Sequence, residues 1–212
     1  MIDRDDRVLD GATTALIVVD MQNAFLRSKG SIRRSGLDIA HLRGVVAPIR
    51  RLVDCCHRTG TPVVFTRYWL RPDYRDAGRL VDLFPAFPSL GSMVADTWDA
   101  QLDPRVGFRR GDTIVDKQRY SAFYNTSLEV ILRGLGVTTL VICGVTTDIC
   151  VESTIRDAFF RDFRIVVPRD AVAAIDARRH RGTLRTIRYG FGSVVTTDAL
   201  CRSLVRASRE LE

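Results

Sequence analysis

The chain has 212 residues, 46% hydrophobic and 27% charged, a globular composition with enough length to bury a substantial core. No apolar run approaches the ~20 residues of a membrane span, and the charged start from Met1 to Gly11 has no apolar signal core behind it, so neither a membrane nor a secretory route is expected. The formal charge of +7 arises from 32 Lys and Arg scattered among 25 Asp and Glu; with no basic block interleaved with aromatics, nucleic acid is not an expected partner and attraction of small anions is the expected consequence.

The first element is an aliphatic strand, Thr14-Ala15-Leu16-Ile17-Val18-Val19, which ends in Asp20 and leads through Gln22 to Phe25. In an open parallel sheet, ligands bind outside the carboxyl ends of strands, so Asp20 either points into that crevice or caps the following turn. Leu42, Val45, Val46, Ile49, Leu52, Val53 and Cys56 then form a helical stripe that stops at Gly60. Pro48 is expected to kink or restart this helix, with Gly44 relieving its clash. Five cysteines, an odd number that includes adjacent Cys55 and Cys56, make no disulfide framework, and a reducing cytoplasm is the expected setting. Pro62 to Thr66 is the second strand. The stretch over 68–111, rich in proline, aromatics and arginine, is too long for an ordinary connection and is expected to be a lid or long connection. Its Trp69, Tyr74, Phe84, Phe87 and Trp98 would wall a pocket, or pack on the domain or a partner subunit.

A third short strand begins at Asp112 and ends in charged residues around Lys117. Only Lys29 and Lys117 are lysines, so a chain that writes nearly every cation as arginine keeps a compact ammonium at this strand end. An ammonium can sit beside a carboxylate and have its pKa tuned, which a guanidinium cannot. The fourth strand, Thr138 to Cys143, is followed by Gly144-Val145-Thr146-Thr147-Asp148-Ile149-Cys150 and a helical stripe of Val151, Ile155, Ala158 and Phe159. With Asp148 as N-cap, Cys150 falls in the first helical turn, where backbone N–H groups favour thiolate and can hold an oxyanion. Ile165 to Val167 and Ser193 to Val195 supply two further strands, joined by a helix over 176–189 with Gly190 past its end, and a last helix starts near Asp198. The cluster Arg178-Arg179-His180-Arg181 with Arg185 and Arg188 reads as a solvated face of that helix. This alternation predicts an α/β fold: a three-layer α/β/α, Rossmann-like arrangement around a mostly parallel six-stranded sheet, in a single domain over 1–212 with a loose segment at 1–12.

Three strand ends thus offer a carboxylate, a cation and a thiol, in the order Asp20, Lys117, Cys150, a nucleophilic constellation. On Leu16-Ile17-Val18-Val19-Asp20-Met21-Gln22, Lys117-Gln118-Arg119-Tyr120-Ser121-Ala122-Phe123 and Gly144-Val145-Thr146-Thr147-Asp148-Ile149-Cys150-Val151, the chain resembles the isochorismatase-like cysteine hydrolase family over about residues 13–205. The resemblance implies that Asp20 takes the thiol proton, Lys117 holds Asp20 and the nascent thiolate in register, and Cys150 attacks a carbonyl carbon. It also implies a cis peptide at Val145–Thr146, with the Thr146 and Cys150 N–H groups as the oxyanion hole.

The same resemblance bears on ligands. The nicotinamidase branch carries a histidine-rich metal site after its second strand, but Arg67 to Tyr74 has no histidine, and the chain's histidines are only His41, His57 and His180, so neither metal nor cofactor is expected. The vinyl-ether-opening members lack the nucleophilic cysteine, which Cys150 supplies here. The continuation Val151 to Asp157 is most similar to the ureidoacrylate branch, and the expected substrate is a small carbamoyl or ureido compound bearing an acid group. Gln22, Phe25, Arg67, Arg71, Arg119 and Tyr120 are the substrate-contact candidates; the arginines either clamp a substrate carboxylate or pair with Asp73, Asp76 or Asp116. A nicotinamidase-like or vinyl-ether hydrolase is the alternative enzyme, and a cysteine redox sensor or ligand-binding module the alternative outside enzymes. A homo-oligomer, dimer or tetramer, is expected.

Overall fold

The computed structural model describes residues 9–209. Its strands are β1 (Thr14–Val19), β2 (Val63–Tyr68), β3 (Thr113–Lys117), β4 (Thr139–Val145), β5 (Arg164–Pro168), β6 (Val172–Ala173) and β7 (Gly192–Val195). They form one sheet in the order β3-β2-β1-β4-β5-β7, with β6 attached to β4 and every pairing parallel. The sheet has one strand more than the sequence predicts, because β6 is two residues long and too short to leave a periodic signal. β1 and β4 are buried along their whole length at the centre, as their unbroken aliphatic runs require.

Five longer helices among the described residues, α1 (Val46–Thr59), α2 (Leu128–Gly134), α3 (Glu152–Phe159), α4 (Ala177–Gly190) and α5 (Thr197–Arg209), flank the sheet. The strand order runs one way from β1 to β3 and the other way from β4 to β7, so right-handed crossovers put α1 on one face and α2, α3 and α4 on the other. α5 packs against α1. On the opposite face Thr183 of α4 donates to Glu152 of α3 at 2.9 Å, and the Arg133 guanidinium of α2 lies 4.4 Å from the Phe163 ring centroid.

Pro48 does restart its helix. A short segment, Ala40–Gly44, ends at Val45, and α1 begins with Pro48 in its first turn, where a missing N–H leaves no hydrogen bond unmade. Gly60 closes α1 in the left-handed region at φ 69.

Several local expectations are corrected. α2 is absent from the sequence reading because seven residues with only Leu128 and Leu132 buried carry too little periodicity. Phe159 leaves the predicted buried stripe and is 43% exposed, set edge-on to Phe160 and Phe191. Gly190 is the last residue of α4 rather than the residue beyond it.

Of the segment 1–12, residues 1–8 lie outside the described residues. Leu9 is buried and its N–H donates to Ser203 Oγ of α5 at 2.9 Å. The stretch after β2 is tied to the β1 end by a buried carboxylate: Asp99 accepts from Ser31 N (2.8 Å), Ser31 Oγ (2.7 Å) and Met93 N (2.9 Å). Of its aromatics, Tyr74 and Phe87 are buried, Phe84 stacks on Phe87 at 4.8 Å, and Trp98 is largely exposed.

Candidate active site

Because all strands are parallel, their carboxyl ends share one edge of the sheet, and the order reverses between β1 and β4, which is where a crevice opens in such folds. Asp20 follows β1, Cys150 follows β4, and Lys117 is the last residue of β3. Gly144 lets β4 close on β1: it sits at φ 113, and a Cβ there would lie 2.1 Å from the Val19 carbonyl oxygen. The next peptide bond, Val145–Thr146, is cis.

Asp20 is held from three sides. Its N–H donates to Thr66 O at 3.1 Å, Thr66 Oγ1 donates to its Oδ1 at 2.9 Å, and Lys117 Nζ lies 2.8 Å from its Oδ2. Both Asp20 and Lys117 have 0% exposure. The ammonium also donates to Arg119 O at 3.0 Å and lies 3.7 Å from the centroid of the Tyr68 ring. A fully buried cation is tolerable only with such a set of partners, here a carboxylate, a carbonyl and an aromatic face.

Cys150 is 4% exposed and faces Asp20, Lys117, Tyr68 and Tyr120. Burial pushes its thiol up, Lys117 pulls it down and Asp20 pushes it up again, leaving it at about 12. The expected pull of the helix end toward thiolate is therefore not the dominant influence: burial is, and it holds the thiol above its ordinary value, in keeping with a proton that Asp20 has still to take.

The turn that carries Cys150 also differs from expectation. Thr147–Val151 is a wide π-type turn in which the Ile149 and Val151 N–H groups both donate to Thr146 O, and α3 starts only at Glu152. Asp148 is not its cap. Its carboxylate is 2.9 Å from Arg179 Nε of α4, and Thr147 Oγ1 is 3.0 Å from His180 Nδ1 of the same helix. Part of the arginine-rich face of α4 thus grips the cysteine turn, where composition suggested only solvation.

The substrate-contact candidates divide. Along β2 and β3, Tyr68 pairs in register with Lys117, and Arg67 with Asp116, so strand alternation sends the second pair to the other face of the sheet. Arg67 is held there by Asp116, with its guanidinium 3.5 Å from the Trp69 ring centroid. Arg71 pairs with Asp73 at 3.0 Å, and Arg119 Nη1 donates to Asp76 O at 2.6 Å and Gln118 O at 2.8 Å. Arg67 and Arg71 follow the pairing alternative, whereas Arg119 is held by main-chain carbonyls rather than by an acid. Gln22 is equally committed, donating to Tyr68 O (2.9 Å) and Ala100 O (2.7 Å) and accepting from Tyr68 N (2.8 Å), so it ties strand ends together. Phe25 is buried beside the end of β1, and Tyr120 stands half-buried facing Cys150.

Two residues were missed. Tyr68 is signalled only by its register with Lys117, which sequence does not show. Thr154 Oγ1 donates to Cys150 O at 2.7 Å and accepts from Ala122 N at 3.0 Å, bracing the cysteine turn against the loop after Lys117. Its i+4 offset from Cys150 was the available clue. Among the described residues no group of three or more His, Cys, Asp or Glu could hold a metal.

Comparison with known proteins follows the same residues. The Isochorismatase domain model matches residues 14–199. The chain belongs to the isochorismatase family. It is 36% identical, over 95% of its length and 83% of the relative's, to ureidoacrylate amidohydrolase RutB of Methylobacterium radiotolerans. Its fold is similar to a cysteine hydrolase from Pseudomonas syringae pv. phaseolicola (TM-score 0.88, 32% identity, covering 95% and 96% of the two chains). It is also similar to N-carbamoylsarcosine amidase from Thermoplasma acidophilum (TM-score 0.72, 31% identity, covering 88% and 97%). Membership of this family of hydrolases agrees with the three motifs, which all fall within the matched residues.

Proposed function

We propose that the protein hydrolyses a carbon–nitrogen bond of a small amide or ureide through a thioester on Cys150. The observation that carries this reading is the fully buried Asp20–Lys117 pair, 2.8 Å apart, beside the sulfur of Cys150. A base and a cation are paired there beside a thiol that burial pushes up.

In the proposed cycle the Cys150 S–H proton passes to Asp20 as sulfur attacks the carbonyl carbon. The C–N bond breaks, Asp20 returns the proton to the leaving nitrogen, and a thioester remains. Water then attacks the thioester, losing its proton to Asp20, and the C–S bond breaks as that proton restores the thiol. Lys117 keeps its proton throughout and stabilises the carboxylate form of Asp20. The Thr146 and Cys150 N–H groups are proposed as donors to the oxyanion.

The names of the relatives point to ureides: one cleaves ureidoacrylate and another N-carbamoylsarcosine. A carbamoyl or ureido compound is the proposed substrate here. Ammonia release from N-carbamoyl acids, biuret, nicotinamide and simple amides tests this. The expected result is kcat/KM highest for a carbamoyl or ureido member; a preference for nicotinamide, or no ammonia from any, counts against it.

A further inference from the structure

Tyr68 is 2% exposed, and its hydroxyl makes no hydrogen bond to any nitrogen or oxygen. An orphaned buried donor costs on the order of 1–3 kcal/mol, and native structures keep few of them without a use. The location of this one is specific. The ring lies under the Lys117 ammonium, and the hydroxyl faces the Cys150 sulfur, with Asp20 and Tyr120 also close to it.

The acceptor it faces explains why it is unsatisfied. A thiol sulfur is a weak acceptor, whereas a thiolate is a full negative charge that attracts an O–H donor strongly. The hydroxyl therefore has only a weak contact with the sulfur while Cys150 is protonated, and that contact strengthens when the proton leaves for Asp20. Such an interaction, stronger in the transition state than in the ground state, is the kind that raises kcat rather than tightening substrate binding. Burial, followed by the nearby Cys150 and Asp20, holds the phenol well above its ordinary value of 10.0, so Tyr68 remains a donor at any working pH and takes no proton itself.

We infer that Tyr68 is a further catalytic residue, whose hydroxyl donates to the Cys150 sulfur as the thiolate forms. The inference rests on the reading of Cys150 as the nucleophile. Proton bookkeeping is unchanged by it: the cysteine proton goes to Asp20, and Tyr68 keeps its own.

The test is Tyr68→Phe, which preserves the ring beneath Lys117 and deletes only the hydroxyl. Three results are expected together. kcat falls roughly 100-fold with KM little changed, the low end of the loss from one missing transition-state donor. The midpoint of urea unfolding stays at the wild-type value or rises, because a buried group without a partner has been removed. The pH profile of Cys150 alkylation by iodoacetamide, read on its own peptide by mass spectrometry, moves to higher pH; Asp20, Lys117 and Tyr120, the other groups facing the sulfur, are unaltered.

A Tyr68→Phe protein with wild-type kcat and an unmoved alkylation profile would overturn the inference. So would a clear drop in its unfolding midpoint, which would mean that the hydroxyl is a structural group. If wild-type protein releases ammonia from none of the amides, the hydrolase reading falls by itself, and the alkylation profile and unfolding midpoint still decide the role of Tyr68.

Discussion

At Cys150, burial and the Asp20 carboxylate oppose Lys117, and the thiol rests at about 12. The same carboxylate that hinders thiolate formation in the resting protein is the group positioned to accept the proton during attack, so its two effects can be separated by charge. Asp20→Asn removes the negative charge and the base but keeps the side-chain shape. Lys117 then acts on the sulfur unopposed by Asp20, and the folded thiol moves downward. At pH 9 iodoacetamide should therefore label the Cys150 peptide roughly tenfold faster than in wild type, about one pKa unit of thiolate, while amide turnover is lost. Slower labelling together with lost turnover would mean that Asp20 organises the site sterically rather than through its charge.

On the scale of elements, the close approach of β1 and β4 is what brings Asp20 and Cys150 to one place. Gly144 makes it possible, and Gly144→Ala combines a strained φ of 113 with a contact of 2.1 Å to backbone. Strain and overpacking of this kind cost roughly 3 kcal/mol or more together, so urea unfolding of the variant should show a loss of at least that size. A wild-type midpoint would show that the two strands separate more easily than this packing implies. β1 and β4 were legible because fully buried parallel strands leave unbroken aliphatic runs, Asp20 and Cys150 because they follow those runs, and Lys117 because it is one of only two lysines and ends a short strand. What was not legible depends on contacts across the chain. Arg67 looked available until its register with Asp116 placed it on the far face, and Gln22 until its amide was found tying Tyr68 to Ala100. Asp148 had the right residue type for a cap, but Arg179 claims it from another helix. The weight of burial on Cys150 was not legible, because local sequence reveals the helix end and conceals the depth of burial.

For the molecule as a whole, many arginines are held in local pairs with acids. The most buried of these joins the stretch after β2 to the β1 end: Asp103 has 0% exposure, accepts from Arg27 at 2.9 Å and Arg105 at 2.6 Å, and donates its N–H to Met21 O at 2.8 Å. Burial alone would raise this carboxyl, but the Arg105 and Arg27 hydrogen bonds outweigh it and hold it below the ordinary 3.8. The folded state thus favours the charged form. The stabilisation is fully present above the ordinary carboxylate range and is lost as pH falls through the lower folded value. Asp103→Asn should cost about 2 kcal/mol at pH 7, and the difference from wild type should shrink at pH 3 and below. Equal differences at both pH values would show that the charge at Asp103 contributes nothing. Among the described residues no helix is long and apolar enough to cross a membrane.

The covalent step on Cys150 is the central claim, and rapid-quench peptide mass spectrometry tests it most directly. Wild-type protein mixed with a turned-over carbamoyl or ureido compound should show, within the first turnovers, an acyl mass on the peptide carrying Cys150, and Cys150→Ala should show neither adduct nor turnover. Turnover that persists in Cys150→Ala, or wild-type turnover with the acyl group found on another cysteine, would contradict the account.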